Sequence, residues 1–164
     1  MSLEKIQNKL KDCSLCTLRA HEINKGHVPS CGYGGNTIMV CDLFPVDNSE
    51  FLVVLKELDW PIDKTYFTTL LKCKCRNFDT VYADKCFNHW LSQEIIVVNP
   101  ISIVTLGSIV EKFIGSRINY IQMFNAYHYR YVKNNEQLRP AWIKGLKSII
   151  QTAKYNTKEM MSLY

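Results

Sequence analysis

The chain has 164 residues, 47% hydrophobic, 21% charged and 12% aromatic, a composition that suits one compact domain and excludes disordered, collagen-like and coiled-coil classes. Twenty Lys and Arg against fifteen Asp and Glu leave a formal charge of +5, which favours a polyanionic partner without requiring one. No apolar run reaches the roughly 18 residues that cross a bilayer, and the N-terminal MSLEKIQNKLKDC lacks the apolar stretch of a secretory signal, so a single cytoplasmic domain over 1–164 is expected.

Lys5 to Leu10 places Ile6 and Leu10 four apart, the spacing of a short amphipathic helix ending at the loop Cys13-Ser14-Leu15-Cys16. Gly26 to Asn36, with Pro29, Gly32, Gly34 and Gly35, reads as a turn-rich loop and closes an N-terminal helix-and-cysteine segment over 1–36. Thr37 to Leu43 is a continuous apolar run bounded by that loop and Pro45, as in a strand buried on both faces. Asn48 to Leu58 sets Phe51, Leu52, Leu55 and Leu58 on one helical face, with Asn48 or Ser49 as N-cap.

Thr65 to Leu71 is β-branched and aromatic, a second buried strand. Thr80 to Val98 reads as helix carrying Cys86, Trp90 and Leu91, and Ile101 to Leu106 as a third strand that runs into Gly107 and a helix from Ser108 to Ile114. Tyr120 to Tyr127 makes a fourth strand, Pro140 opens a last helix, and Gln151 to Tyr164 reads as a frayed tail. Strands alternating with helices predict an α/β fold, a three-layer α/β/α sandwich around a four-stranded parallel sheet. A site in such a fold lies at the carboxyl ends of the strands. Cys41-Asp42-Leu43 and Tyr127-His128 would bring a carboxylate and an imidazole to that rim.

Seven cysteines in a reducing compartment point to metal or redox chemistry before disulfides. Cys13 and Cys16 present two thiolates from one loop, and Cys73 with Cys86 completes four, a set suited to tetrahedral zinc or a cubane iron–sulfur cluster. The spacing is not that of a two-knuckle zinc ribbon, so the metal stays open on these grounds. Cys75 competes with Cys73, and Cys31 and Cys41 read as small buried hydrophobes.

Several stretches in order resemble the iron–sulfur uracil-DNA glycosylases, families 4 and 5 of that superfamily. They are Cys13-x-x-Cys16-x-Leu18-Arg19, Val28-Pro29 with its glycine-rich turn, Ile38-Met-Val40 followed by an acid, and Tyr66-Phe-Thr-Thr-Leu-Leu-Lys72-Cys73. Cys86 before Trp90-Leu91, Ile103-Val-Thr-Leu-Gly107 and Tyr127-His128 continue the match, which spans about residues 10 to 150. The resemblance implies a uracil-DNA glycosylase-like fold with a 4Fe-4S cluster on Cys13, Cys16, Cys73 and Cys86. It also implies Asp42 and His128 at the catalytic positions and Leu43, Phe44 and Thr69 around the base pocket.

The departures are as informative. The family's Gly-Glu-Ala-Pro-Gly motif becomes Cys41-Asp42-Leu43-Phe44-Pro45, with an acid one methylene shorter, and a displacement of about 1 Å in a positioning group can cost about a hundredfold in rate. The family's Pro-Phe-Val-Gly segment has no counterpart between Asp47 and Phe51, which leaves Phe44 or Phe51 to stack on a base. The Asn that pairs with the uracil edge becomes Thr69, whose single hydroxyl cannot reproduce an amide's two-point geometry. His128 is followed by Tyr129-Arg130-Tyr131-Val132-Lys133 in place of Pro and the downstream leucines.

The expected function is therefore an altered member, a DNA-binding or accessory subunit of replication or repair, with a DNA polymerase or other replication protein as partner, rather than an efficient uracil glycosylase. Arg76, Arg117, Arg130, Lys133 and Arg139 are its candidate phosphate contacts. A chain heavy in Asn, Lys, Ile and Tyr resembles a viral version, which would act in the host cytoplasm. The alternative is an active N-glycosylase in which Asp42 orients water and His128 supports the departing base of a flipped nucleotide.

Overall fold

The computed structural model describes residues 1–161, with side chains through Ala153. Five strands, β1 (Tyr33–Gly34), β2 (Ile38–Asp42), β3 (Thr65–Thr69), β4 (Ser102–Leu106) and β5 (Gln122–Ala126), form one sheet in the order β1-β3-β2-β4-β5. Strands β2 to β5 run parallel and fall within the four stretches read as strands from the sequence. β1 pairs antiparallel with β3, Tyr33 opposite Phe67 and Gly34 opposite Tyr66. The sheet is thus five-stranded and mixed, not the four-stranded parallel sheet expected. The added strand comes from the stretch read as a loop: a Cβ on Gly32 or Gly34 would collide with the carbonyls of Phe67 or Thr65, so only glycine lets this backbone lie against β3.

The helices are α1 (Leu3–Leu10), α2 (Ser49–Glu57), α3 (Thr80–Cys86), α4 (Ser92–Val98), α5 (Ser108–Gly115), α6 (Tyr129–Lys133) and α7 (Arg139–Met161). A π turn over Phe87–Leu91 joins α3 to α4 without a break, so the helical stretch expected over Thr80 to Val98 is one rod with a wide turn inside it. Helix α7 continues through Met161 into the segment read as a tail; residues 162–164 of that tail lie outside the described residues.

Alternation along the strands sends side chains to two apolar clusters, one per face. Met39, Cys41, Tyr66 and Ile103 join Ile6 and Leu10 of α1, Ile95 of α4 and Ile114 of α5. Ile38, Val40, Phe67 and Val104 join Leu55 of α2 and Trp142 and Leu146 of α7. Helices therefore cover both faces, and the loops at the carboxyl ends of the parallel strands are free to build a site. Among the described residues no helix is long and apolar enough to cross a membrane.

Candidate functional site

Asp42 ends β2 and Thr69 ends β3, directly opposite one another in register, while His128 lies two residues beyond the end of β5. The expected rim forms. His128 Nε2 stands 2.9 Å from Asp42 Oδ2, and the Arg130 N–H donates to His128 Nδ1 at 3.1 Å. An Nδ1 that accepts must be unprotonated, so the ring is the Nε2–H tautomer and donates to the carboxylate. The other carboxylate oxygen, Oδ1, accepts from the Leu43 N–H at 2.6 Å. Both oxygens of Asp42 are engaged by its own chain.

The Asp42–His128 pair is a wall between two cavities. On one side, about 150 Å³ is lined by Tyr33, Phe44, Asn48, Thr68, Thr69 and Tyr129 among others. On the other, about 370 Å³ is lined by Leu43, Phe44, Gly107, Ser108 and Arg130. Phe44 faces both, whereas Leu43 belongs to the second cavity and Thr69 to the first. The Thr69 hydroxyl donates to Leu71 O at 2.6 Å, which uses its only proton. Phe51 is 3% exposed and packs on Tyr129 and Trp142, so of the two aromatics expected to stack on a base, Phe44 is the accessible one.

Three residues of the first cavity carried no signal as site residues. Tyr33 on β1 stacks on Phe67 with ring centroids 5.6 Å apart, and its hydroxyl lies 3.0 Å from Asn48 Nδ2. Asn48 precedes α2 but leaves capping to Asp47, whose Oδ1 accepts from the Ser49 N–H at 2.9 Å, so the Asn48 amide faces the cavity mouth instead. The third is Thr68, which ties the cavity floor to a buried ion pair. Lys72 Nζ and Glu94 Oε1 are 2.5 Å apart, with side chains 1% and 0% exposed. Tyr66 and Thr68 donate to Glu94 Oε2, and Lys72 donates to Thr68 Oγ1 and to Thr69 O.

The cysteines sort by their neighbours. Burial pushes the Cys73 thiol up to about 12, with further upward pressure from Cys86, Cys16 and Cys13. Cys86 is raised to about 11, by burial first and in part by Cys16 and Cys13, against a hydrogen bond from the Lys72 backbone. Cys75 is raised by burial alone and lines a separate surface groove with Leu18, Arg76 and Tyr82. Proximity therefore groups Cys73, not Cys75, with Cys13, Cys16 and Cys86. All seven cysteines are free thiols; Cys41 is fully buried and Cys31 is partly exposed on the wall of the first cavity. No group of three or more His, Cys, Asp or Glu side chains among the described residues is placed to hold a single metal ion.

Of the five basic candidates, Arg130 lines the second cavity beside the Asp42–His128 pair and is exposed. Lys133 is bonded to Glu50 at 2.8 Å, and Arg139 lies near it at the start of α7. Arg76 belongs to the Cys75 groove. Arg117 sits between α5 and β5, at the opposite end of the sheet from the cavities, where it pairs with Asp84 at 2.5 Å and lies over the Phe113 ring, 3.5 Å from its centroid. Neither protein-family models nor curated proteins match this chain.

Proposed function

We propose that the protein is a uracil-DNA glycosylase-like iron–sulfur protein, with that superfamily's three-layer sandwich, that binds DNA as an accessory subunit of replication or repair without efficient base excision. The sequence resemblance supports the cluster and the DNA-binding parts of this reading, and the direct Asp42–His128 bond carries the part that sets it apart from an efficient glycosylase. A hydrolytic glycosylase serves water on one face of the reacting carbon and the leaving base on the other. Groups with those two tasks need the reacting atoms between them; in inverting glycoside hydrolysis the paired groups stand about 6.5–9.5 Å apart for that reason. At 2.9 Å the carboxylate and imidazole satisfy each other, and no reacting centre fits between them.

Cys13, Cys16, Cys73 and Cys86, four thiols within electrostatic reach of one another, are a donor set for a cubane cluster or tetrahedral zinc, and the resemblance to the iron–sulfur glycosylases favours the cluster. The indole N–H of Trp90, four residues beyond Cys86, is buried without a partner, a donor that a sulfur-rich group nearby would satisfy. The cluster would supply cross-linking: Cys13 and Cys16 would be tied to the segment after β3 and to the end of α3.

A second reading, an active glycosylase, is favoured by one observation. The first cavity, about 150 Å³ beside Asp42, matches in size a cavity of about 150 Å³ that admits a single benzene ring, and so would hold a pyrimidine once the Asp42–His128 bond opened. Single- and double-stranded oligonucleotides containing uracil, hypoxanthine or hydroxymethyluracil separate the readings. The expected result is retention of the labelled oligonucleotide with no abasic sites above a protein-free control. Abasic-site formation that disappears in Asp42→Asn or His128→Ala would replace the accessory reading with the enzymatic one.

A further inference from the structure

The segment that follows β5 carries three tyrosines, and they point in different directions. Tyr129 turns inward, stacking on Phe51 with centroids 6.1 Å apart. Tyr127 and Tyr131 turn outward, each 53% exposed, and pack on one another with ring centroids 5.5 Å apart and planes tilted by 41°. Water-facing aromatic area of this size, doubled by pairing, contributes little to a core that already holds Val132 and Trp142 beneath it.

The backbone under the pair is fixed at each end. Trp142 Nε1 donates to Tyr127 O at 3.1 Å, the Tyr131 N–H donates to His128 O at 2.9 Å, and Asn135 Nδ2 donates to Tyr131 O at 2.8 Å. Rings with two rotatable bonds on a pinned backbone lose little freedom when something stacks on them. Arg130, between the two rings in sequence, is exposed and lines the cavity next to His128; the Asp47 carboxylate acts on it without a close salt bridge. Aromatic faces that flank a cation in sequence, on a chain of net charge +5, are complementary to stacked bases on a phosphate backbone.

We infer that Tyr127 and Tyr131 form a stacking platform for unpaired bases of single-stranded DNA, with Arg130 on the adjoining phosphate. This rests on the DNA-binding reading above and narrows it to the single strand, because bases in a duplex have no free face to offer. A strand stacked on the platform would pass the mouth of the cavities at Asp42 and His128.

The test is fluorescence anisotropy of the intact protein with a labelled oligothymidylate, an abasic strand of equal length and a duplex, over a range of salt. The wild type is expected to bind oligothymidylate more tightly than either alternative. Tyr127→Ala and Tyr131→Ala are expected to weaken that binding roughly 5- to 150-fold while leaving the duplex unaffected, since one base–aromatic stack is lost in each. Tyr127→Phe and Tyr131→Phe keep the ring and should keep the affinity. The salt slope should be unchanged in the tyrosine variants and shallower by about one in Arg130→Ala. Equal binding of the abasic strand, or alanine variants within twofold of wild type, would overturn the platform while leaving the DNA-binding reading intact. No binding of any of the three DNAs at low salt would remove both.

Discussion

Lys72 and Glu94 are the charged side chains that are buried among the described residues, and they are buried together. Two charges removed from water are repaid only when geometry is good and the remaining lone pairs are satisfied. Here Glu94 is met by Lys72, Tyr66 and Thr68, while Lys72 also reaches Thr68 and the Thr69 carbonyl. The network therefore fixes the carboxyl end of β3, which floors the first cavity. Glu94→Leu alone would strand the Lys72 charge and should destabilise the protein by about 3–5 kcal/mol, whereas Glu94→Leu with Lys72→Met should recover most of that loss. Urea unfolding of the two variants checks this; a double variant no more stable than the single one would mean the charges are not coupled.

Asp42, Thr69 and His128 were legible in the sequence because an apolar run that stops marks a strand end, and strand ends carry sites in parallel sheets. Glu94 was not, because a helical pattern reports that a position faces inward but not which polar group waits there. Tyr33 was hidden by the glycines around it, which read as a turn while serving as a close-packed edge.

At the scale of elements, the rod from α3 to α4 shows a sequence pattern forcing a departure from ideal geometry. Cys86, Trp90, Glu94 and Val98 are buried at a spacing of four, as are Phe87, Leu91 and Ile95. Twelve residues of ideal α-helix turn through about 1200°, overshooting three full turns by about 120°, so an unmodified helix would rotate Val98 off the face that holds Cys86. The π turn at Phe87–Leu91 takes up the difference. The helical character of Thr80 to Val98 is readable from the pattern that sets Cys86, Trp90 and Leu91 on neighbouring turns; the wide turn follows from the strict four-residue period, which helix templates built on 3.6 do not separate. The rod begins at Asp79, whose Oδ1 accepts from the Val81 N–H at 2.7 Å. Asp79→Ala should cost about 1 kcal/mol, or about 2–4 °C in melting temperature for a chain of this size, and Asp79→Asn, which keeps the acceptor, should cost much less. Thermal unfolding followed by circular dichroism measures both; equal losses would mean that the charge, not the cap, matters.

Across the whole molecule, the proposed cluster joins parts that the sheet does not. α1 and the Cys13–Cys16 loop precede the first strand and rest on one face of the sheet through Ile6, Leu10 and Leu18. That is a small apolar anchor, and ligation to Cys73 and Cys86 would convert it into a covalent one, with binding energy that is in part folding energy. Cys73→Ser and Cys75→Ser differ by a single atom at positions two apart, both buried, so a general effect of polarity on packing should appear in both. Only the change at Cys73 removes a sulfur from the proposed ligand set of four. After anaerobic purification, the wild type and Cys75→Ser are expected to carry about four irons and four sulfides per chain with visible absorption, and Cys73→Ser to lose both. In hydrogen exchange, Cys73→Ser should lose protection over residues 3–20 and 73–86 while β2 and β4 stay protected, because those strands are held by the core on both faces. Iron retained in Cys73→Ser and lost in Cys75→Ser would move the ligand by two residues; about one zinc per chain and no iron in the wild type would replace the cluster with a mononuclear site.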